Sequence, residues 1–447
     1  MLLRFNVSNY LSFNEITEFN SFIGDYRRFD NHVFKHKDLD ILKICAVYGA
    51  NATGKSNLIE ALVYIRDAII SDDLSKLGLS AFKGNEKKTS NFEIEFVAQE
   101  SVYIYGFEVL KDKVKTEYLY FSGMGKKDIL IFDREVNKEG NSLININKKF
   151  LKLKKYQILK EHYEEKVEAN QLFLNLIGDV DLGDLSIEIE KVVRWILRLQ
   201  IIFPTSKPKY LVSNLINEPS FMEFTTDMLR SFDTGIKKLH IKEFSLKDYF
   251  GEDDKDIVSK LTKDLENNDD EDIPLAIDMI ATLKEDKPII KRLYVEHVGF
   301  GEDNLFSFFE ESDGTKRLIE FMSMLYNLVA KDFENSIYII DEIGRSIHPY
   351  LLKEFLSKLS KEKNINGQLI FTTHESNLLD LNILRPDEIW FAEKNRQKGN
   401  TEFKTLAEYK KIRPDLNIRK GYLDGRFGGI PILANFDDLN WTEYATN

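Results

Sequence analysis

The sequence predicts an α/β fold with a mixed sheet, an antiparallel β subdomain and a largely helical insertion. Three observations predict it. An apolar run over residues 41–48, broken only by Lys43, leads directly into Gly49-Ala50-Asn51-Ala52-Thr53-Gly54-Lys55-Ser56. A second apolar run, Ile337-Tyr338-Ile339-Ile340, ends in the carboxylates Asp341 and Glu342. Most of the 447 residues lie between the two.

Residues 2–22 alternate apolar and polar, as half-buried strands do. The run at 41–48 reads as a central parallel strand. After the glycine loop, Leu58, Ile59, Ala61, Leu62, Ile65 and Ile69 fall on one helical face. Four short alternating runs between residues 91 and 135 suggest an antiparallel meander. Residues 150–230 read as largely helical, 236–246 as a strand, 252–286 as acidic helices and 289–310 as strand again. From 315 the pattern is helix (315–330), strand (336–341), helix (349–361), strand (368–373), helix (375–381) and strand (388–393). That alternation returns the chain to a parallel sheet. The expected organisation is a split domain, 1–135 plus 290–447, interrupted by a mostly helical insertion at 136–289.

Composition narrows the class. Hydrophobic residues make up 43% and charged residues 30% of the chain, the balance of an ordinary soluble protein. The single cysteine, Cys45, excludes an internal disulfide and sits in an apolar run as a small core residue. No apolar run approaches a membrane span, and residues 1–5 lack a signal-peptide pattern, so the expectation is a cytoplasmic protein without a membrane partner. A net charge of −12 argues against a chain dominated by a nucleic-acid surface but leaves room for a local basic face. The acidic runs at 251–254 and 267–272 lack the ligand spacing and turn glycine of a calcium loop and read as solvated ends or loops.

The glycine loop is a phosphate cradle. In this pattern, the backbone N–H groups of Gly49 to Gly54 point at phosphates, and the following helix adds its positive end. Lys55 reaches the β- and γ-phosphates of ATP, and Ser56 places its hydroxyl on Mg²⁺. Asp341 is placed to hold the metal through its water shell, and Glu342 to orient or deprotonate the attacking water. Alone, two carboxylates after an apolar strand are equally an ordinary strand end; beside the cradle they read as catalytic. Glu311-Ser312-Asp313-Gly314-Thr315-Lys316-Arg317 opens a helix about 25 residues earlier. Ser312 or Asp313 makes a good N-cap. The second reading is an anion site formed by a serine hydroxyl, a glycine backbone and a helix N-terminus, gripping the γ-phosphate held by another subunit. His374 ends the strand 368–373, where a histidine faces the ligand crevice and can sense the γ-phosphate.

These residues resemble the ABC-type ATPase heads of the structural-maintenance-of-chromosomes, RecF and OLD-like group, built on the P-loop NTPase fold. The matching texts are Asn9-Tyr10-Leu11-Ser12-Phe13, the Walker A form Gly49-x-Asn51-x-x-Gly54-Lys55-Ser56-Asn57, the signature Ser312-Asp313-Gly314-Thr315, the Walker B run Tyr338 to Glu342, a D-loop at Arg345 to Pro349 and a switch histidine at His374. Asp313 and Thr315 depart from the common S-G-G-Q signature. Longer texts, among them Phe232 to Ile236, Asp387 to Lys394 and Gly421 to Pro431, are similar to bacterial AAA-family ATP-binding proteins of abortive-infection systems, of the AbiL and RloA type and related to PARIS and Septu ATPase subunits.

The resemblance implies a glutamine loop that links the metal and γ-phosphate to the insertion. Asn170-Gln171-Leu172-Phe173-Leu174 is the candidate, and an ordinary amphipathic helix is the competing reading. It further implies ATP hydrolysis within a homodimer or higher even oligomer. Each site would take Lys55, Ser56, Asp341, Glu342 and His374 from one chain and Ser312, Gly314 and Thr315 from the other. The chain lacks an H-N-H pattern, a zinc cluster and the carboxylates of a TOPRIM nuclease, so the effector is expected to be a separate protein, with a phage-encoded trigger compatible with this reading. A DNA-repair or DNA-tethering ATPase is the alternative. It would use Lys148, Lys149, Lys152, Lys154, Lys155, Lys207 and Lys209, which read equally as solvated faces. A scaffold that binds ATP with little turnover is the third reading.

Overall fold

The computed structural model describes residues 1–150, 154–177, 183–206, 211–251, 254–267, 272–285, 287–330, 336–410, 412–413 and 416–430. They form two compact units. The first contains the described residues within 1–202, 335–343 and 356–447, and the second those within 203–334 and 344–355. Residues 136–289 are thus shared between the units, with the break after Ile202.

The first unit is built on a six-stranded sheet in the order Leu199–Ile202, Ile337–Ile340, Gln368–Thr373, Ile44–Tyr48, Ile389–Lys394, Thr401–Thr405. The first five are parallel and the last is antiparallel. Every residue of Ile44–Tyr48, Ile337–Ile340 and Gln368–Thr373 is buried, which is why these strands read as continuous apolar runs. Lys43 breaks the first run into two strands, Leu39–Leu42 and Ile44–Tyr48. Cys45 is fully buried, and burial pushes its thiol pKa up. Register aligns the strand ends: Ile340 pairs with Phe371, and Phe371 with Ala46. Asp341, His374 and Gly49 therefore leave the sheet at one carboxyl edge, the edge where open α/β sheets bind ligands.

A seven-stranded antiparallel sheet completes this unit. Its order is Ser142–Ile146, Ile129–Val136, Lys113–Phe121, Ser101–Leu110, Ser90–Ala98, Leu2–Ser8, Thr17–Asn20, so the expected meander holds and gains strands at both ends. The helix Lys55–Ile70 packs on it: the Tyr64 ring stacks on Phe92 at 4.8 Å. A fully buried ion pair joins two of these strands, with Arg134 Nη1 3.4 Å from Glu117 Oε2. Burial raises the Glu117 pKa, and Arg134 opposes that rise. Glu117 also accepts the backbone N–H groups of Phe173 and Leu174, and Arg134 donates to the carbonyls of Glu168 and Gln171. One buried pair thereby anchors residues 168–174.

The second unit holds an antiparallel sheet in the order Ile236–Ser245, Lys287–His297, Met279–Lys284, Ile273–Ala276, with the short strand Phe306–Ser307 also paired to Lys287–His297. Helix Asp313–Val329 packs on helix Pro219–Ser231 through Tyr326, whose ring lies 5.2 Å from Phe221 and whose hydroxyl lies 2.8 Å from Ser220 Oγ.

Two expectations are corrected. Among the described residues, the acidic stretch 252–286 is helical only over Lys255–Asn267. Ile273–Ala276 and Met279–Lys284 then form a hairpin that extends the sheet beside Lys287–His297, with Ala281 buried in one cluster with Leu246, Leu265 and Ile290. The helix expected at 375–381 is a single 3₁₀ turn, Ser376–Leu378. Among the described residues, no helix is long and apolar enough to cross a membrane.

Candidate nucleotide site

The strand Ile44–Tyr48 is followed by the glycine loop and then by the helix Lys55–Ile70, capped by Gly54 with φ 92°. Positive φ there is open to glycine without steric cost. Gly54 is required by space as well: a Cβ would stand 2.1 Å from Thr401 Oγ1 and 2.6 Å from Ser12 Oγ. The loop borders a cavity of about 450 Å³ lined by Ser12, residues 51–57, Glu342, His374 and Lys394. That size suits a ligand with a large polar headgroup.

The carboxylate pair meets the loop here. Ser56 Oγ donates to Asp341 Oδ2 at 2.8 Å, and Thr372 Oγ1 donates to Asp341 Oδ1 at 2.6 Å. A hydroxyl beside a buried carboxylate is the hard oxygen set that Mg²⁺ takes, so these residues fit that metal. The Glu342 N–H donates to Thr372 Oγ1 at 2.8 Å, and Glu342 sits at φ 49°, a left-handed conformation uncommon for a residue with a side chain. The turn directs Glu342 to the cavity while Asp341 stays buried.

Lys55 is buried, and its Nζ donates to the carbonyls of Gly49 and Ala50, each at 2.9 Å. Desolvation pushes its pKa down to about 8, against the opposing pull of Asp341 and Glu342. His374 Nδ1 lies 3.5 Å from Lys55 Nζ, and His374 Nε2 lies 3.6 Å from Glu342 Oε1. Desolvation, followed by the neighbouring Lys55 cation, lowers the His374 pKa and favours the neutral ring.

Residues 51 to 57, Glu342 and His374 thus line one cavity, with Asp341 bound to Ser56 at its floor and Gly49 and Ala50 holding Lys55 through their carbonyls. Gln171 is not among the lining residues. Its carbonyl binds Arg134, and Asn170 binds Asp73 and the Leu74 N–H just beyond the loop helix. Ser12 and Lys394 also line the cavity; the sequence places them in the segments Asn9–Phe13 and Asp387–Lys394 but assigns neither a role.

Ser312, Gly314 and Thr315 lie in the second unit. Ser312 caps the helix Asp313–Val329 by accepting the Thr315 N–H at 3.1 Å, and the Thr315 hydroxyl lies 2.9 Å from its oxygen. Capping leaves the Ser312 residue exposed. The preceding Glu311 is buried and paired with His297 Nε2 at 2.7 Å, which anchors the turn. A Cβ on Gly314 would stand 2.8 Å from the Ser346 carbonyl oxygen, so the glycine allows the segment 344–349 to close against the signature turn.

Of the lysines considered for nucleic acid, Lys148 and Lys149 are exposed, and Lys149 lies over the Phe150 ring. Lys152, Lys207, Lys209 and the side chains of Lys154 and Lys155 lie outside the described residues, as do Glu252, Asp253 and residues 268–271 of the acidic runs.

A buried parallel strand, a glycine loop opening a helix and a carboxylate strand end beside it define an α/β P-loop NTPase. The profile of one family, described as "AAA domain, putative AbiEii toxin, Type IV TA system", matches residues 44–380, and the chain belongs to that family. No curated protein sequence matches the chain significantly. Among solved structures, an Smc head bound to the C-winged helix domain of ScpA is 12% identical with a TM-score of 0.39, covering 92% of this chain and 98% of that one. An SMC head domain from Thermotoga maritima is 11% identical with a TM-score of 0.36, covering 90% and 98%. An Smc head with an extended coiled coil, bound to the C-terminal domain of ScpA derived from Pyrococcus furiosus, is 13% identical with a TM-score of 0.40, covering 95% and 98%.

Proposed function

We propose that this chain is the ATP-binding and hydrolysing subunit of a bacterial anti-phage defence system. It acts as an ATP-dependent dimerisation switch that senses infection and controls a separate effector, a toxin or nuclease. The observation that carries the ATPase part is the convergence of Lys55, Ser56, Asp341, Glu342 and His374 on one cavity edge. The family description, with its toxin and Type IV toxin–antitoxin vocabulary, supports the defence context.

The residues divide the work. Loop N–H groups and Lys55 hold the triphosphate, and positioning with electrostatics accounts for most of the rate in phosphoryl transfer. Asp341, fixed by Ser56 and Thr372, is placed to hold Mg²⁺ jointly with the Ser56 hydroxyl. When bound, Mg²⁺ neutralises charge developing on the β- and γ-phosphate oxygens. Glu342 accepts the proton of the attacking water, and neutral His374 donates its ring N–H to a γ-phosphate oxygen. A second copy presents Ser312 with the Gly314 backbone, as an exposed helix N-terminus suits an anion. Loss of the γ-phosphate removes the bridge and releases the pair.

The test is oligomeric state by light scattering. Glu342→Gln with ATP is expected to form a stable dimer, and Ser312→Arg in that background to return it to monomer. A dimer unaffected by Ser312→Arg would remove the composite site. Co-purification of the chain from its host is expected to recover an effector protein.

A further inference from the structure

We propose that the edge hairpin Ile389–Lys394/Thr401–Thr405 is a wall of the nucleotide site, in which Thr401 positions the phosphate loop and Lys394 binds phosphate. The inference rests on the reading of the cavity as a triphosphate site. It adds two residues that lie outside the loop, the carboxylate pair and the histidine.

Register brings the hairpin to the loop. Phe391 pairs with Tyr48, the residue before Gly49, and a Cβ on Gly49 would stand 2.6 Å from the Ala392 carbonyl oxygen. Across the hairpin Lys394 pairs with Thr401. Thr401 is buried and makes three bonds, two to Ser12 and one to the loop at Thr53. Its N–H donates to the Ser12 carbonyl at 2.8 Å, and its Oγ1 lies 2.7 Å from Ser12 Oγ and 2.9 Å from the Thr53 carbonyl oxygen. Asn57 Nδ2 donates to the same Ser12 Oγ at 2.7 Å.

A carbonyl only accepts. One ordering therefore satisfies every member of the group: Asn57 donates to Ser12, Ser12 to Thr401, and Thr401 to the Thr53 carbonyl. This chain ties the loop helix, the residue 9–14 turn and the edge strand to the peptide just before Gly54. It orients the Gly54 and Lys55 backbone that cradles phosphate.

Lys394 lines the cavity from the other strand of the hairpin. Its side chain is exposed and makes no ion pair or hydrogen bond among the described residues. A flexible ammonium facing a cradle of N–H donors, beside the buried Lys55, is complementary to an anion.

Equilibrium binding of ATP, ADP and inorganic tripolyphosphate to the full chain tests both residues. Lys394→Met is expected to weaken ATP and tripolyphosphate alike, by about tenfold. A loss confined to ATP, or none, overturns the phosphate assignment. Thr401→Val, nearly the same shape, is expected to weaken ATP by about tenfold, and Thr401→Ser to restore it. Equal affinities for Thr401→Val and Thr401→Ser overturn the positioning role, and the thermal transition of each variant separates loop disorder from unfolding. Lys55→Ala is the control. If it leaves ATP affinity intact, the triphosphate reading fails; if it abolishes binding while the hairpin variants bind normally, only the hairpin proposal fails.

Discussion

Ser56 Oγ donates to Asp341 Oδ2 across 2.8 Å, although 285 residues separate the two in sequence. The bond joins the first turn of the loop helix to the end of a strand two places away in the sheet, with Thr372 on the intervening strand holding the other carboxylate oxygen. Asp341 is thereby fixed at both oxygens.

That fixation predicts a metal phenotype. Asp341→Asn keeps the shape and removes the charge, so the Mg²⁺ concentration needed for half-maximal ATP binding should rise by about tenfold or more. Titration of Mg²⁺ at constant ATP measures this, and an unchanged midpoint would remove Asp341 from the metal site.

Lys55 predicts a pH dependence. Its pKa is pushed down to about 8 by desolvation, and phosphate binding favours the ammonium form. Protons are therefore taken up on binding above pH 8. ATP affinity should be level below pH 7 and weaken as pH rises through about 8, by up to about tenfold per pH unit. Calorimetry in buffers of different ionisation enthalpy at pH 8.5 reports the uptake; a level profile to pH 9.5 would contradict the burial argument.

Glu342 predicts a separation of binding from turnover. Glu342→Gln should slow hydrolysis by about 10²–10⁴-fold while ATP affinity changes little. Hydrolysis at the normal rate would assign the base elsewhere.

The buried pair predicts a stability effect remote from the cavity. Glu117→Ala leaves the Arg134 guanidinium without its carboxylate and the Phe173 and Leu174 N–H groups without an acceptor. The cost should be about 3–5 kcal/mol, seen as an earlier urea transition. An unchanged transition would show that residues 168–174 are held by other contacts.

The alternative of direct action on DNA predicts salt-dependent binding that changes with ATP. Exposed Lys148 and Lys149 are the described candidates. Their replacement by glutamate should abolish any such binding, and ATP-independent, salt-insensitive retention would exclude a phosphate-backbone contact.

The loop and the strand end were legible because each is local. The motif Gly49 to Ser56 needs only its flanking strand and helix, and a strand buried on both faces is written as an apolar run. The hairpin at 273–284 was not legible, since its acidic, lysine-rich surroundings carry the period of solvated helices, while its pairing with Lys287–His297 and the burial of Ala281 among Leu246, Leu265 and Ile290 are long-range. The role of Gln171 was equally hidden: a lone glutamine has no pattern, and the structure ties its carbonyl, through Arg134, to a buried pair elsewhere in the sheet.

By itself, the sequence determined the glycine loop between strand and helix, the paired carboxylates at a strand end and the α/β class, because glycine spacing, charge and hydrophobic period act over a few residues. Only the tertiary structure decided that Ser12 and Lys394 line the loop's cavity, that Thr401 bonds the loop at Thr53, and that Thr372 holds Asp341. Serine, threonine and lysine are common and unpatterned; what they do depends on which strands lie side by side, and strand order is set by long-range packing that no short window of sequence contains.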